Sequence, residues 1–360
     1  MRVLKKLLES RPVKASAACR IDCGGTLDIK TFYYPLHHLS PCTFNIAIDM
    51  KTRVRLLPYS SGQIKVSSRG FRTEVHPADN APFSGPLGLI FAIATYFRVE
   101  GVHIEIVSES PPRSALGGSS TAAVALIGAL SKALSGDGTP RMSTKQIVLL
   151  AHAIEEAVAG ISCGLQDQLA AAYGGVHAWY WPGEPADPPF RRTEVLAKED
   201  YATLETHLLL AYCGVPHESQ DINGKWIDQF VRGKARHLWS EIVSCTNEFV
   251  QAMTAKDWGA AVRAMNKEVE RRRRMTPGVF DEMGVALFDK ALAHGCGARF
   301  TGSGGGGCIW ALGDADDIRK LMPAWTDILS HREDAKLLDA RVDPIGLRIV
   351  DCGLGRLLVR

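Results

Sequence analysis

Residues 110–130 read SPPRSALGGSSTAAVALIGAL: two prolines, a glycine pair, a row of hydroxyls, then an almost unbroken apolar run. A helix over residues 121–134 has no polar face, so protein must surround it. Its first turn leaves backbone N–H groups unpaired and carries partial positive charge. Gly117 and Gly118 lack a Cβ and let a ligand approach the backbone, while Ser119, Ser120 and Thr121 offer hydroxyls to oxygen atoms or to a magnesium ion. A buried, rigid helix opening on such a turn suits a phosphate group. The same residues also make an ordinary N-cap. Two further stretches bear on that choice.

In residues 152–175, HAIEEAVAGISCGLQDQLAAAYGG, Glu155 and Glu156 sit near the end of an apolar-patterned helix. Asp167 stands between two glutamines at the start of the next helix, which Gly174 and Gly175 stop. Two carboxylates separated by one short turn can face one pocket, one holding a metal and the other accepting a proton. Helix capping accounts for the same residues. In residues 295–313, GCGARFTGSGGGGCIWALG, the segment 302–307 fits GxGxxG. A dinucleotide fingerprint needs a helix after the glycines. CIWAL is strand-like instead, so we expect a tight turn between core strands, packed against something that needs bare backbone.

The chain has 360 residues, enough for two domains. Its 42 basic and 39 acidic residues leave a net charge of +3, too small to argue for nucleic acid or a membrane surface. No apolar run is long enough to span a bilayer. The start, MRVLKKLLESRPVK, has no apolar core or cleavage site of a secretory leader. The 9 cysteines are scattered, without a CxxC pair; Cys19 and Cys23 are the nearest neighbours, and free thiols in a reducing cytoplasm are expected. The partner expected is a small molecule, with no nucleic acid and no membrane, for a monomer or homodimer.

Strand patterning marks residues 13–25, 43–59, 102–110, 175–183, 206–214, 298–302 and 308–312, and residues 63–76 read as a hairpin. Helices are expected over 87–97, from Ser143 with a Ser143/Gln146 capping box, and over 222–230, 235–255, 258–275 and 277–293. The segments 335–343 and 346–353 are expected to close the second half. The pattern is α+β throughout. The Pro-rich segment WPGEPADPP, 181–189, is the strongest boundary signal, and we divide the chain at 1–195 and 196–360.

Three motifs in order resemble the GHMP kinases. CRIDCGGTLD, residues 19–28, is similar to that family's first substrate motif. PRSALGGSST, residues 112–121, is similar to its phosphate loop, and TGSGGGGC, residues 301–308, to its C-terminal glycine motif. Together with GLQDQLAAAYGG and NKEVERRRRMTPGVFD, they most resemble the family's sugar-1-kinase branch, which includes heptose 7-phosphate kinases. The resemblance implies two α+β domains, one like ribosomal protein S5 domain 2 and one ferredoxin-like, with the active site between them. It implies ATP and Mg2+. It makes Asp167 the catalytic aspartate and Arg20 its basic companion. Pro112, Ser114, Leu116, Gly117, Gly118, Ser119, Ser120 and Thr121 would form the nucleotide loop. Ser119 (or its neighbour Ser120) and Glu155 (or, with a one-residue slip, Glu156) would hold the metal. Asp22, Thr26, Asp28, Gly174 and Gly175 would meet the substrate, with Asp22 and Asp28 interchangeable as the sugar-binding acid.

Departures from the family pattern are Ala115 in place of glycine, Gly118 in place of serine, Thr121 in place of alanine and Ser303 in place of alanine. None removes a charge that phosphoryl transfer needs. The expected activity is therefore sugar phosphorylation, at O1 of D-glycero-D-manno-heptose 7-phosphate. The alternatives are phosphorylation of L-fucose, galactose or another hexose, and a catalytically inactive sugar or nucleotide sensor. The arginine run 271–274 reads as a solvated helix face, or as a clamp for a phosphate already on the sugar. His217 and Ser219 line the pocket or are structural.

Overall fold

The protein was analysed as a computed structural model, which describes residues 2–136, 141–160, 162–184, 188–216 and 219–351. The strand Val13–Cys23 runs antiparallel to Cys42–Pro58, from Val13 opposite Leu56 to Cys23 opposite Phe44. A bulge between Ala18 and Cys19 breaks the register. Before the bulge, exposure alternates; after it every residue is buried. The strand thus leaves the solvent-facing part of the sheet and enters the interior, carrying Arg20 and Asp22 with it. Alternation places these two side chains on one face and Cys19, Ile21 and Cys23 on the other.

Eight strands form the first sheet. Val102–Ser108 pairs antiparallel with Cys42–Pro58 and parallel with Gln63–Ser68, whose hairpin partner is Glu74–Pro77. On the other side, Val176–Tyr180 joins Cys42–Pro58 and is followed by Arg191–Leu196. The Pro-rich segment therefore lies between two paired strands of one sheet. It links a hairpin and does not separate the two sheets. Helix Gly118–Leu134 packs against this sheet with all but three of its residues buried, as its apolar sequence requires. Helix Thr144–Ala159 packs beside it, with the Ser143/Gln146 capping box formed.

The second sheet is antiparallel, in the order Gly297–Phe300, Cys308–Leu312, Leu208–Tyr212, Lys336–Leu338. Helices Arg236–Thr254, Trp258–Met275, Glu282–Ala293 and Ala315–Ser330 accompany it. A buried cluster including Ile21, Phe44, Tyr212, Phe249 and Trp310 draws on both sheets and joins the two α+β parts.

Three expectations change. The last strand, Arg348–Asp351, returns to pair with Val13–Ser16 and does not close the second sheet. The helix expected over 277–293 is broken: Phe280 is extended, and Asp281 starts a new helix by accepting the Gly284 N–H at 2.8 Å. Helix Ala315–Ser330 escaped notice, although Ile318, Leu321, Trp325 and Leu329 bury one stripe at helical spacing.

The chain's return to the first sheet passes through a close backbone crossing. Gly346 has φ of 73°, and a Cβ there would stand 2.5 Å from the Gly174 nitrogen and 2.7 Å from the Ala172 carbonyl carbon. Both contacts are with backbone, which cannot swing aside. Gly346→Ala is expected to lower unfolding stability by about 2–4 kcal/mol in denaturant titrations. An unchanged midpoint would show that the crossing has slack.

Candidate active site

A cleft of about 920 Å³ lies where the first-sheet helices face the second sheet. Three chain segments distant in sequence meet in it, and Arg20 is the hub. Its guanidinium holds Asp167 with two bonds, Nε to Oδ1 at 2.8 Å and Nη2 to Oδ2 at 3.0 Å. Nη1 donates to the Ala115 carbonyl at 2.5 Å, and Asp22 lies 3.4 Å away. Burial alone would weaken the guanidinium's hold on its proton, but the charges of Asp167 and Asp22 reverse that and raise its pKa. The arginine is therefore a permanent cation fixing both the aspartate and the loop ahead of helix Gly118–Leu134.

That loop bends through left-handed backbone at Ala115 (φ 61°) and Gly117 (φ 77°). Ala115, which departs from glycine, occupies a glycine-favoured conformation, and the Arg20 bond to its carbonyl helps to hold it there. A Cβ on Gly117 would lie only 3.3 Å from the Asp167 carboxylate carbon. The loop and the aspartate are thus in contact. The bare backbone at 117 is what lets them approach.

At the helix start, Ser119 and Ser120 donate to the two oxygens of Glu155, each at 2.7 Å. Gln168 Nε2 adds a third bond to that carboxylate at 2.7 Å. Burial raises the Glu155 pKa, and these three donors offset it only in part. Glu156 turns elsewhere and pairs with Lys30 at 3.4 Å. Between Glu155 and Glu156, then, the former faces the serines. The Glu155 carboxylate and the Ser119 and Ser120 hydroxyls are hard oxygens, the kind of ligand that suits Mg2+. Gln168 Oε1 is buried beside them without a partner. Among the described residues, no group of three or more His, Cys, Asp or Glu side chains gathers for a metal.

Asp28 lines another wall of the cleft. Its Oδ2 accepts the Gln166 N–H at 2.9 Å, while its Oδ1 is buried with no partner. Burial, with added repulsion from Asp167, pushes its pKa up to about 7 despite the backbone bond. Thr26 also lines the cleft, as do Ser114, Gly118, Ser303, Tyr212 and Lys336.

Other residues expected at the site stand elsewhere. Asp22 is wholly buried, with Oδ2 at 3.0 Å from Arg299 and Oδ1 accepting the Gly302 N–H at 2.7 Å. Its oxygens are spent on the protein, which leaves Asp28 as the carboxylate facing the cleft. Thr121 turns its hydroxyl back to the Gly117 carbonyl, 2.7 Å away, and Leu116 is core. Gly174 and Gly175 pack on residues 345–346 and on His177 and Tyr201, away from the cleft lining. The glycine run 302–307 is the expected turn between two strands, and a Cβ on Gly307 would meet the Ser114 carbonyl at 2.7 Å. The arginine run is only in part a solvated face: Arg274 is exposed. Arg272 is fully buried and Arg271 pairs with Glu241. None of the four lines the cleft. His217 and the Ser219 side chain lie outside the described residues.

Residues that went unnoticed are Glu268 and Arg299, which complete the ion pairs around Asp22. Their sole sequence signal is a charge within an otherwise apolar face or strand. Glu268 sits among Met265, Val269 and Arg272 on the helix, and Arg299 between Ala298 and Phe300.

A helix-start loop with serine hydroxyls, a carboxylate against it and a second carboxylate with one oxygen unpartnered fit a small-molecule phosphotransferase. Residues 88–175 match the family model of the GHMP kinases N terminal domain, and residues 249–331 that of the GHMP kinases C terminal domain. The chain belongs to the GHMP kinase family, whose members use ATP to phosphorylate an alcohol group of a small molecule. It is 26% identical over 294 residues to a mevalonate kinase of Pyrococcus abyssi, covering 74% of this chain and 80% of that protein. It is 26% identical over 220 residues to D-glycero-alpha-D-manno-heptose 7-phosphate kinase of Campylobacter jejuni, covering 60% and 62%. Among solved structures, Lactococcus lactis galactokinase with galactose superposes with a TM-score of 0.73 at 16% identity, covering 96% and 98% of the two chains. These structures share the two-domain α+β fold.

The Asp28 environment has a measurable consequence. Its folded pKa stands above the ordinary 3.8, so the folded state favours the protonated form. The resulting stabilisation is complete below the unfolded pKa and is lost as pH rises through about 7. Asp28→Asn is expected to remove this slope between pH 3.8 and about 7. The contribution is on the order of 2–4 kcal/mol, read from denaturation midpoints across pH. Parallel pH profiles for the two proteins would show that Asp28 is not the titrating group.

Proposed function

We propose that this kinase transfers the γ-phosphate of ATP to a sugar hydroxyl, and that O1 of D-glycero-D-manno-heptose 7-phosphate is its acceptor. The observation that carries the proposal is the contact between the Asp167 carboxylate and the loop at Gly117, with Arg20 fixing both. Phosphoryl transfer depends on placing an acceptor hydroxyl in line with a charged phosphate more than on covalent help. Asp167 is placed to orient that hydroxyl and take its proton. Its Arg20 partner fixes the carboxylate at both oxygens, and orientation is what counts where proton transfer comes late in a loose transition state.

The backbone of 117–120 would cradle the phosphates. Arg69, Gly70, Pro112 and Arg113 line the cleft beyond the loop, on the side we assign to the nucleotide base. Ser119, Ser120 and Glu155 are the residues that would hold Mg2+. When bound, that ion would supply positive charge against the phosphate oxygens.

A sugar acceptor is favoured by Asp28. Its free Oδ1 accepts hydrogen bonds and repels anions, so it suits a hydroxyl better than the carboxylate of an organic acid. The arginine run does not line the cleft, so it is not the clamp for a substrate phosphate in this proposal. Lys336, exposed at the edge of the second sheet and lining the cleft, takes that place in the proposal. The Campylobacter relative carries the heptose name, as does a solved Bacteroides heptose 1-phosphate kinase with a TM-score of 0.70 at 17% identity, covering 94% of this chain and 98% of that one. An inactive sensor is disfavoured because Asp167, Glu155 and the serines are all present and mutually bonded or in contact with the loop.

ADP release measured over a panel of heptose 7-phosphate, L-fucose, galactose, mevalonate and homoserine tests the acceptor. Turnover with the heptose alone, giving the 1,7-bisphosphate, is expected. Preference for mevalonate would overturn the sugar assignment. Asp167→Asn is expected to cut turnover by roughly a thousandfold while ATP affinity stays within about threefold. A near-normal rate in that variant would remove Asp167 from the chemistry.

A further inference from the structure

We propose that Arg272, a residue of the C-terminal part outside the cleft, is a positioning residue that sets acceptor affinity by fixing the 25–28 turn from behind. This rests on reading that turn as the acceptor wall. Thr26, a cleft-lining non-glycine residue, holds a left-handed φ of 75°, a conformation that needs support from its surroundings. The support is one guanidinium. Arg272 Nη1 donates to Thr26 Oγ1 at 2.8 Å and Nη2 to the Gly25 carbonyl at 2.7 Å. Its Nε donates to Glu268 Oε1 at 2.9 Å. The fork's plane is also held, with its carbon 4.7 Å from the Trp226 ring centre and 4.8 Å from that of Trp239.

The grip extends through the turn. The Ile29 N–H donates to the Thr26 carbonyl at 3.0 Å, closing the turn that contains Asp28. Glu268 is shared with Arg299, which holds Asp22 at the turn's other end. The backbone carrying Thr26 and Asp28 is thus bolted to the helix Trp258–Met275. Lysine cannot reproduce this: its point charge can stay with Glu268 but cannot also present two fixed donors to Gly25 and Thr26. Arg272 is held by Glu268, Thr26, Gly25, Trp226 and Trp239, none of them in the loop 117–120, so nucleotide binding is separable from it.

The test compares Arg272→Lys, Trp226→Phe and Asp28→Asn with the wild type. The acceptor is heptose 7-phosphate, or the panel sugar that turns over if the heptose does not. Arg272→Lys is expected to raise acceptor KM by roughly tenfold while ATP KM and kcat at saturation stay within about twofold. Trp226→Phe, which keeps the guanidinium but shrinks one of its two flanking rings, is expected to raise acceptor KM by about threefold, and it decides the matter if Arg272→Lys does not fold. A folded variant with lowered melting temperature and unchanged acceptor KM would show Arg272 to be merely structural and overturn the inference. An equal rise in both KM values would do the same. If Asp28→Asn raises acceptor KM and the Arg272 and Trp226 variants do not, only the positioning role fails. If none of the three moves it, the acceptor reading of the turn fails with it.

Discussion

A buried guanidinium is expensive unless its charge is met and its N–H groups are used. Arg20 is almost fully buried and meets both conditions by reaching across the chain. One edge takes Asp167 from a helix start, and another nitrogen takes the carbonyl of Ala115 from the phosphate loop. Because it sits on a strand paired along most of its length, the hub is rigid. The two groups we propose to cooperate in phosphoryl transfer are therefore placed by a single third party. Neither segment needs to recognise the other directly, except where Gly117 gives way for the aspartate.

The same strand supplies the second linkage. Asp22, two residues on, accepts from Arg299 and from the Gly302 amide, and Arg299 passes to Glu268 and Arg272. Three arginines face three carboxylates across the boundary between the two sheets. Ion pairs of this kind add little net stability compared with apolar packing, but leaving any one unmatched is costly. Their use here is geometric. They hold the glycine turn at 302, the turn at 25–28 and the strand 13–23 in one arrangement, while the apolar cluster around Phe44 and Trp310 supplies the cohesion.

Much of this was legible. A helix with no polar side had to be buried, and a first turn of glycine and serine had to open on something. Short strand-turn-strand patterning at 298–312 correctly excluded a dinucleotide fold. What the sequence could not show is which charges face inward. Asp22 and Asp28 lie in one short motif, and only the bulge at Ala18/Cys19 and the partners across the boundary spend the first and free the second. A run of four arginines looks solvated because the indole rings that sandwich one of them come from positions 226 and 239. The glycines 174 and 175 looked like a ligand approach; Gly174 instead meets a backbone crossing made by residues 345–346, and Gly175 packs on His177 and Tyr201. In each case the missing fact is long-range.

The division of labour between the two cleft carboxylates follows from their partners. Asp28, met by backbone N–H groups and no cation, and pushed up to about 7 by burial, would look the better proton acceptor on affinity alone. Location argues otherwise. Asp167 is the carboxylate in contact with the phosphate loop, whereas Asp28 is wedged against Gly164, where even a Cβ would overlap it. Proton affinity near neutrality serves a recognition group well: a carboxyl that is easily protonated can donate to one sugar oxygen or accept from another hydroxyl without bringing an unmatched charge into the cleft. A carboxylate held at both oxygens by an arginine can orient a hydroxyl, and little basicity is needed if the proton leaves late. Environments this different in one cavity assign different work to two side chains of the same kind.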